Sequence, residues 1–315
     1  MPSQPSSSPR PAGLLDLESL SRKEIETILE RACYFQPPPN ETYRRFETLR
    51  GKTIVNLFYE ASTRTRVSFE IAARRLGAET ISIAAQGSSV SKGESLVDTL
   101  NTLVAMRPSA VVMRHAASGA PHFLARHLRI PIVNAGDGTH EHPTQGLLDA
   151  LTILDRRKSL ENLRVAIIGD IAHSRVARSD IHLLSKFGAE IVLCGPPSLV
   201  PLELASLAPG VRIAYDMKEA IRDVDVIMML RVQLERQHEA PMAAGEYFRF
   251  FGLQLEHLAL AKPEAIVMHP GPINRGRELS SDVADSQKSA ILNQVENGVA
   301  VRMADRKSTR LNPSH

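Results

Sequence analysis

Short β-rich runs alternate with amphipathic helical patterns along almost the whole chain, and this alternation constrains the fold more than any other feature. Four runs precede residue 140 and five follow residue 163. Most are continuously apolar, as expected for strands that are covered on both faces. The runs are Thr53–Phe58, Thr80–Ala84, Ala110–Arg114, Pro131–Asn134, Arg164–Gly169, Glu190–Cys194, Val211–Tyr215, Asp225–Leu230 and Ala265–His269. This pattern predicts an α/β fold with two doubly wound parallel sheets.

The helical patterns between the runs carry recognisable end signals. A Ser-x-x-Glu capping box at Ser21 and Glu24 opens the first helix. Pro143 stands in the first turn of a long helix, and Gly77 and Gly188 close two others. The predicted helices are Ser21–Cys33, Ser62–Leu76, Ser95–Met106, Ala120–Leu128, Pro143–Arg157, Arg175–Phe187 and a closing helix near residues 286–303.

The chain of 315 residues is long enough to bury two separate cores. We expect a first domain at residues 14–150 and a second at residues 151–285, with the helix at 143–157 as the bridge between them. The Pro/Ser-rich residues 1–13 predict a disordered leader, and the polar residues 305–315 predict a disordered tail.

Composition and charge exclude several classes of protein. Lys and Arg exceed Asp and Glu by 38 − 35 = +3, which does not indicate a nucleic-acid partner. No apolar run approaches the roughly 18–20 residues that span a bilayer, and the amino-terminal residues lack the apolar middle of a secretory signal. Cys33 and Cys194 are isolated and lack zinc spacing, so we expect two buried thiols in a reducing cytoplasm.

The first predicted strand runs into a turn that is rich in hydroxyl and guanidinium groups. The turn reads Ser62-Thr63-Arg64-Thr65-Arg66 and opens the next helix. Backbone N–H groups and the helix dipole favour an anion at such a helix start, and the side chains add charge-assisted hydrogen bonds. The turn lacks the Gly-x-x-x-x-Gly-Lys of a Walker loop. It therefore predicts an anion site of another kind.

Other strand exits carry further cations and imidazoles, and ligands bind at the carboxyl ends of parallel strands. Arginines stand at four of these exits: Arg64, Arg114, Arg175 and Arg231. They predict a site for more than one anionic group, shared between the two domains. His140 and His142 precede a helix start, where donation from a neutral imidazole to a small carbonyl substrate fits better than metal binding. The absence of Gly-x-Gly-x-x-Gly argues against a dinucleotide enzyme.

From about Leu14 to Met303, the chain resembles the catalytic chains of the aspartate carbamoyltransferase family. Five motifs carry the resemblance: Ser62-Thr63-Arg64-Thr65-Arg66, Lys92-Gly93-Glu94, His142-Pro143-Thr144-Gln145, Arg231-Val232-Gln233 and His269-Pro270-Gly271-Pro272. The resemblance implies an aspartate/ornithine carbamoyltransferase-like fold whose closing helix packs back on the first domain. It implies transfer of the carbamoyl group of carbamoyl phosphate to L-aspartate, the second step of de novo pyrimidine biosynthesis. It implies no metal and no cofactor.

The resemblance also implies a role for each motif residue. The implied carbamoyl phosphate ligands are Ser62, Thr63, Arg64, Thr65, Arg114, His142, Gln145, Gly271 and Pro272. Of these, Gln145, Gly271 and Pro272 face the carbamoyl NH2 group. The implied aspartate ligands are Lys92, Arg175, Arg231 and Gln233. The implied catalytic residues are Arg64, Thr65, Lys92, Arg114 and His142.

The family places the loop that carries Ser88 and Lys92 in the active site of the neighbouring subunit. This implies a cytoplasmic homotrimer with shared active sites and with no nucleic-acid or membrane partner. A regulatory chain or a dihydroorotase stays open as a further partner, because nothing in the sequence chooses between them.

Two alternatives stay open. Ornithine carbamoyltransferases share the Ser-Thr-Arg-Thr-Arg motif but carry a Cys in a His-Cys-Leu-Pro element, where this chain has His269-Pro270-Gly271-Pro272. Arg231 would also repel the cationic side chain of ornithine. The second alternative is a non-catalytic subunit that keeps the fold, and the presence of Arg64, Lys92 and His142 argues against it.

Overall fold

Two parallel sheets, one in each half of the chain, form the framework. The computed structural model describes residues 13–38, 41–84, 95–232 and 243–308. The first sheet contains β1 (Thr53–Phe58), β2 (Glu79–Ala84), β3 (Ala110–His115) and β4 (Ile132–Asp137), in the order β2-β1-β3-β4. The second contains β5 (Arg164–Ile168), β6 (Glu190–Cys194), β7 (Val211–Ala214), β8 (Val226–Met229) and β9 (Ile266–Met268), in the order β7-β6-β5-β8-β9. All neighbouring strands are parallel, which confirms the predicted fold class.

Helices connect the strands, and the first six begin within about one residue of their predicted positions. They are α1 (Arg22–Phe35), α2 (Thr63–Arg75), α3 (Leu96–Ala105), α4 (Ala120–His127), α5 (Pro143–Arg157), α6 (Arg175–Ser185), α7 (Met217–Ala220), α8 (Ala244–Phe251), α9 (Leu255–Leu258), α10 (Ser281–Ala284) and α11 (Ile291–Ser308). A 3-10 helix spans Leu202–Leu207. The capping box at Ser21 and Glu24 is confirmed, since each residue bonds the backbone N–H of the other. In the described ranges, none of these helices is both long and apolar enough to cross a membrane.

Helix α5 is the most buried helix next to the functional cavity described below. Its residues 143–153 are all buried, and it packs against α1, α6 and α11. One continuous apolar core contains side chains from both sheets, such as Val112 of β3 and Val165 of β5. Helix α11 packs against α1, α2 and α5, beside the first sheet. The domain boundaries near residues 150 and 285 stay predictions.

Two expectations need correction. Helix α11 runs from Ile291 to Ser308, so it starts later than predicted and includes the first residues of the predicted tail. Polarity alone suggested a tail there, but the structure buries Asp305 completely. Cys33 is exposed, because α1 buries the opposite face that carries Ile28 and Ala32, whereas Cys194 is buried as expected. Residues 1–12 of the predicted leader and 309–315 of the predicted tail lie outside the described residues.

Candidate active site

The carboxyl ends of both sheets open on one cavity of about 800 Å³. The strand order of each sheet reverses there, between β1 and β3 in the first and between β5 and β8 in the second. Such switch points leave a crevice in which ligands bind. The predicted site residues that line the cavity are Ser62, Thr63, Arg64, Thr65, Arg114, His142, Gln145, Arg175, Arg231, Gly271 and Pro272. Ser88, Lys92 and Gln233 lie outside the described residues.

The turn between β1 and α2 presents unused hydrogen-bond donors to this cavity. Ser62 is the N-cap of α2 in an extended conformation, and its side chain makes no capping hydrogen bond. The N–H of Arg66 donates to the carbonyl of Ser62 at 3.2 Å, so the N–H groups before it precede the helical ladder. Thr63 and Arg64 are exposed. Backbone, hydroxyl and guanidinium donors therefore converge where an anion could bind.

Arg64 lies against the segment that follows β9. A Cβ atom built on Gly271 would stand 3.7 Å from the guanidinium carbon of Arg64. Gly271 has a φ of +68°, in the left-handed region that favours glycine. The turn at the end of β1 and the segment after β9 therefore meet at the cavity.

Glu60 holds together arginines that belong to different sheets. Arg114, at the end of β3, donates from Nη2 to Oε1 of Glu60 at 2.7 Å. Arg175, which opens α6 after β5, donates to Oε1 at 2.6 Å and to Oε2 at 3.1 Å. Burial opposes the ionisation of Glu60, but the hydrogen bonds and charges of Arg175 and Arg114 lower its pKa to about 2. One carboxylate therefore connects the cations of the two sheets.

Sequence reasoning missed Glu60, although it stands two residues before the Ser62 turn. The signal was an acidic residue at a strand exit where the other functional side chains are cationic or hydroxyl-bearing. An acid in such surroundings either weakens an anion site or holds its cations in place. The hydrogen bonds to Arg114 and Arg175 are those of the second case.

Two buried histidines give the cavity a neutral side. Burial, followed by the charges of neighbouring arginines, holds the pKa of His142 well below its usual range. Burial, with the charges of Arg64 and Arg231, lowers the pKa of His269 to about 3. Both rings are therefore neutral near pH 7, and a neutral imidazole can donate one hydrogen bond and accept another. A neutral imidazole is the form that can donate a hydrogen bond to a carbonyl oxygen without adding a charge.

Helix α11 brings two polar residues to the cavity that sequence reasoning missed, Gln294 and Arg302. Arg302 is buried, and its Nη1 donates to Oγ of Ser68 in α2 at 2.8 Å. Gln294 is also buried and bonds to Asp149 of α5 at 2.6 Å. No local pattern marks either residue, because both reach the site through packing of a distant helix.

A group of possible metal ligands, His122, Asp137 and His140, lies beside the loop that leads to His142. Asp137 already accepts hydrogen bonds from the backbone N–H groups of Gly119, at 2.6 Å, and Glu141, at 3.1 Å. Its hydrogen bond to His140 raises the pKa of that ring, which favours a cation over a metal ligand. The hydrogen bonds of Asp137 thus hold the loop that leads to His142 in place.

Comparison with known proteins identifies the family. The family model for "Aspartate/ornithine carbamoyltransferase, carbamoyl-P binding domain" matches residues 13–155. The model for "Aspartate/ornithine carbamoyltransferase, Asp/Orn binding domain" matches residues 161–304. The chain belongs to the aspartate/ornithine carbamoyltransferase family. The resemblance seen in the five motifs is thereby confirmed.

Individual relatives agree with this family along nearly their full length. The aspartate carbamoyltransferase catalytic subunit of Solibacter usitatus (strain Ellin6076) is 76% identical over 294 residues, which are 93% of this chain and 97% of that protein. Aspartate transcarbamoylase from Trypanosoma cruzi in complex with N-(phosphonacetyl)-L-aspartic acid matches with a TM-score of 0.86 at 31% identity, over 96% of this chain and 97% of the other. Ornithine carbamoyltransferase from Pyrococcus furiosus matches with a TM-score of 0.82 at 29% identity, over 94% and 96%.

Proposed function

We propose that this family member transfers the carbamoyl group of carbamoyl phosphate to L-aspartate, giving N-carbamoyl-L-aspartate and phosphate. One observation carries the proposal: the Ser62 turn, the imidazole of His142 and the arginines of the second sheet line a single cavity. The catalytic subunit from Solibacter usitatus, at 76% identity, supports aspartate as the acceptor. The reaction is the second step of de novo pyrimidine biosynthesis.

The Ser62 turn is the proposed phosphate site. Ser62, Thr63, Arg64 and Thr65 supply the donors described above, and a dianion suits a helix start with an adjacent guanidinium. Arg114 also lines the cavity and is linked through Glu60 to Arg175, and it is the proposed contact to both the phosphate and the carbonyl oxygen. Neutralising the phosphate favours its departure, since its charge grows as the bond to the carbamoyl carbon breaks.

His142, Thr65 and Arg114 are the proposed donors to the carbonyl oxygen. The neutral imidazole of His142 supports this role, because it can keep an N–H for the oxyanion without adding a charge. The side chain of Gln145 and the carbonyl groups of Gly271 and Pro272 are the proposed acceptors for the carbamoyl NH2 group. All of these residues line the cavity.

Arg175 and Arg231 of the second sheet are the proposed ligands of the aspartate carboxylates, together with Gln233 and Lys92. Arg175 follows β5 and Arg231 follows β8, at the switch point of that sheet. Two guanidinium groups suit a dicarboxylate and would repel the ammonium group of ornithine. The acceptor side of the cavity therefore favours aspartate.

In the proposed mechanism, the neutral α-amine of aspartate attacks the carbamoyl carbon and the carbonyl oxygen takes up the electron pair. The tetrahedral oxyanion collapses, the carbon–oxygen bond to phosphate breaks, and the leaving phosphate accepts the amine proton. Donors that bind the oxyanion and the phosphate more strongly as their charge develops lower the barrier. Holding both substrates in one cavity contributes further, since orientation effects reach about 7–11 kcal/mol.

We further propose a homotrimer in the cytoplasm in which Ser88 and Lys92 of one subunit complete the site of its neighbour. The test mixes Lys92→Ala chains with Arg64→Ala chains and measures activity after reassembly. Shared sites restore part of the activity, because some sites then combine an intact Arg64 with an intact Lys92. Inactive, well-mixed hybrid trimers would contradict the shared site.

The purified chain tests the proposed reaction directly. Incubation with carbamoyl phosphate and aspartate is expected to release phosphate and N-carbamoyl-L-aspartate in equal amounts. A parallel reaction with ornithine serves as the control for the acceptor. Consumption of ornithine but not aspartate would show that the proposed acceptor is wrong. No consumption of either would favour a non-catalytic subunit.

A further inference from the structure

A chain of buried amide and carboxyl groups runs behind the neutral side of the cavity. It links Gln145 and Asp149 of α5, Gln294 of α11, and the backbone of His269 after β9. Asp149 and Gln294 are 1% and 2% exposed, so water cannot replace a lost hydrogen bond easily. The two proposed acceptors for the carbamoyl NH2 group are the side chain of Gln145 and the backbone that follows His269. Hydrogen bonds link both of them to the buried carboxyl of Asp149.

Asp149 determines which end of the Gln145 amide faces the cavity. Nε2 of Gln145 lies 3.0 Å from Oδ1 and 3.3 Å from Oδ2 of Asp149, one helical turn away. An ionised carboxylate only accepts hydrogen bonds, so the donor end of the amide must face it. Oε1 of Gln145 is then directed away from Asp149, and it is free to accept a hydrogen bond from a ligand.

Gln294 connects Asp149 to the second proposed acceptor, the backbone that follows β9. Its Nε2 donates to Oδ1 of Asp149 at 2.6 Å, and its Oε1 accepts from the N–H of His269 at 2.9 Å. A carboxylate at one end and an N–H at the other leave only one orientation for this amide. Nδ1 of His269 in turn accepts from the N–H of Gly271 at 2.8 Å. The backbone at Gly271 is therefore tied to Asp149.

The carboxyl group of Asp180 supplies the proton that keeps Asp149 an acceptor. Burial raises the pKa of both carboxyls, and they are hydrogen-bonded to each other. At Asp149, donors from Gln294, Gln145 and Asp180 and the charge of Arg302 oppose this rise. At Asp180, the charge of Asp149 increases it. The pKa of Asp180 is therefore raised further than that of Asp149, which rises to about 7, so Asp180 is the carboxyl of the pair that holds the proton and Asp149 is the acceptor.

We propose that Asp149 is a positioning residue that, through Gln145 and Gln294, aligns the acceptors for the carbamoyl NH2 group and so selects carbamoyl phosphate over acetyl phosphate. The inference rests on the proposed carbamoyl transfer. Acetyl phosphate has a methyl group in place of NH2, with similar size but no N–H to donate. Aligned acceptors therefore strengthen binding of the first compound and do nothing for the second.

The test compares Asp149→Asn with the wild type for both compounds. The new amide can donate to Gln145 as well as accept from it, so the orientation of Gln145 is no longer imposed. We expect kcat/KM for carbamoyl phosphate to fall at least tenfold, while the competitive inhibition constant of acetyl phosphate changes less than twofold. Equal weakening of both compounds, or no change in either, would overturn the proposal.

Asp155→Asn is the matched control, because Asp155 lies on the same helix and also accepts from a Gln and an Asn amide. It bonds Gln36 at 2.7 Å and Asn297 at 2.8 Å, and it does not line the cavity. This variant is expected to keep the selectivity of the wild type. If Asp149→Asn does not fold, Gln294→Met decides: a severalfold loss of selectivity supports the proposal and unchanged selectivity contradicts it. Wild-type turnover of carbamoyl phosphate with aspartate tests the proposed function separately.

Discussion

The two sides of the cavity differ in charge, and we call them the charged wall and the neutral wall. The charged wall, formed by Glu60, Arg64, Arg114 and Arg175, brings cations from two sheets together around one carboxylate. The neutral wall presents the buried, uncharged side chains of His142, Gln145, Gln294 and His269. Behind it, hydrogen bonds through the carboxyl of Asp149 connect α5, α11 and the end of β9. An incoming anion can replace Glu60 as a partner of the arginines, whereas the neutral wall is already in place before a ligand arrives. The comparison therefore predicts adaptable charges on one side and a preorganised set of dipoles on the other.

Arg64→Ala tests the charged wall where the largest effect is expected. The side chain is exposed and lines the cavity, so its loss removes a charge-assisted donor from the proposed phosphate site and leaves the core intact. We expect kcat/KM to fall by about 10²–10³, the usual cost of losing one donor to developing charge. Steady-state kinetics with carbamoyl phosphate as the varied substrate measures this loss.

Arg50→Ala is the control, because Arg50 is 83% exposed and does not line the cavity. It should leave both activity and melting temperature unchanged. A large drop in the melting temperature of Arg64→Ala would show that Arg64 supports the fold and would remove the contrast between the walls.

Glu60→Gln tests whether one carboxylate holds the charged wall together. The variant keeps an acceptor but removes the negative charge that Arg114 and Arg175, which are 12% and 10% exposed, both contact. We expect a loss of about 1.5–3 kcal/mol in the free energy of unfolding, typical of hydrogen bonds to charged groups. Urea denaturation measures it, and added phosphate should recover part of the loss by binding to the same arginines.

The pH dependence of this difference has a defined sign. The pKa of Glu60 is lowered from 4.5 to about 2, so its stabilisation is complete above pH 4.5 and disappears as the pH falls towards 2. The stability gap between wild type and Glu60→Gln should close in that window. Glu190→Gln removes an exposed ion pair with Arg164 and should cost at most about 1 kcal/mol. An equal loss in both variants would mean that the Glu60 cluster is an ordinary surface contact.

The arginines of the charged wall could be predicted from sequence, whereas Glu60 was missed and the neutral wall was predicted only in part. An arginine or a hydroxyl at a strand exit is a local signal, since the topology of a parallel sheet assigns its place, and Arg114 and Arg231 were found in this way. Gln294 and Asp149 are separated by 145 positions, and no short pattern announces their contact. The role of an amide in a buried network depends on what packs against it.

The fold shows the same division between local and distant information. Strands such as β1 and β6 and the long helix α5 match their predicted bounds, because each contains a full pattern of apolar residues. The short helices α7, α9 and α10 were not predicted, since one turn carries too few residues for a helical period. The end of α11 was misjudged because burial of Asp305 comes from tertiary packing.

His269→Asn tests the neutral wall through its resistance to protonation. The folded protein lowers the pKa of His269 from 6.5 to about 3, whereas the unfolded chain takes up a proton near pH 6.5. The wild type should therefore lose stability as the pH falls below 6.5, by up to about 1.4 kcal/mol per pH unit from this group. Asparagine keeps an acceptor for the N–H of Gly271 but cannot titrate, so the variant should lose less stability between pH 6.5 and 5. Urea denaturation across this range measures both slopes, and the exposed His127→Asn should follow the wild type. Equal slopes in the wild type and His269→Asn would mean that His269 is protonated in the folded state and that the second wall is not neutral.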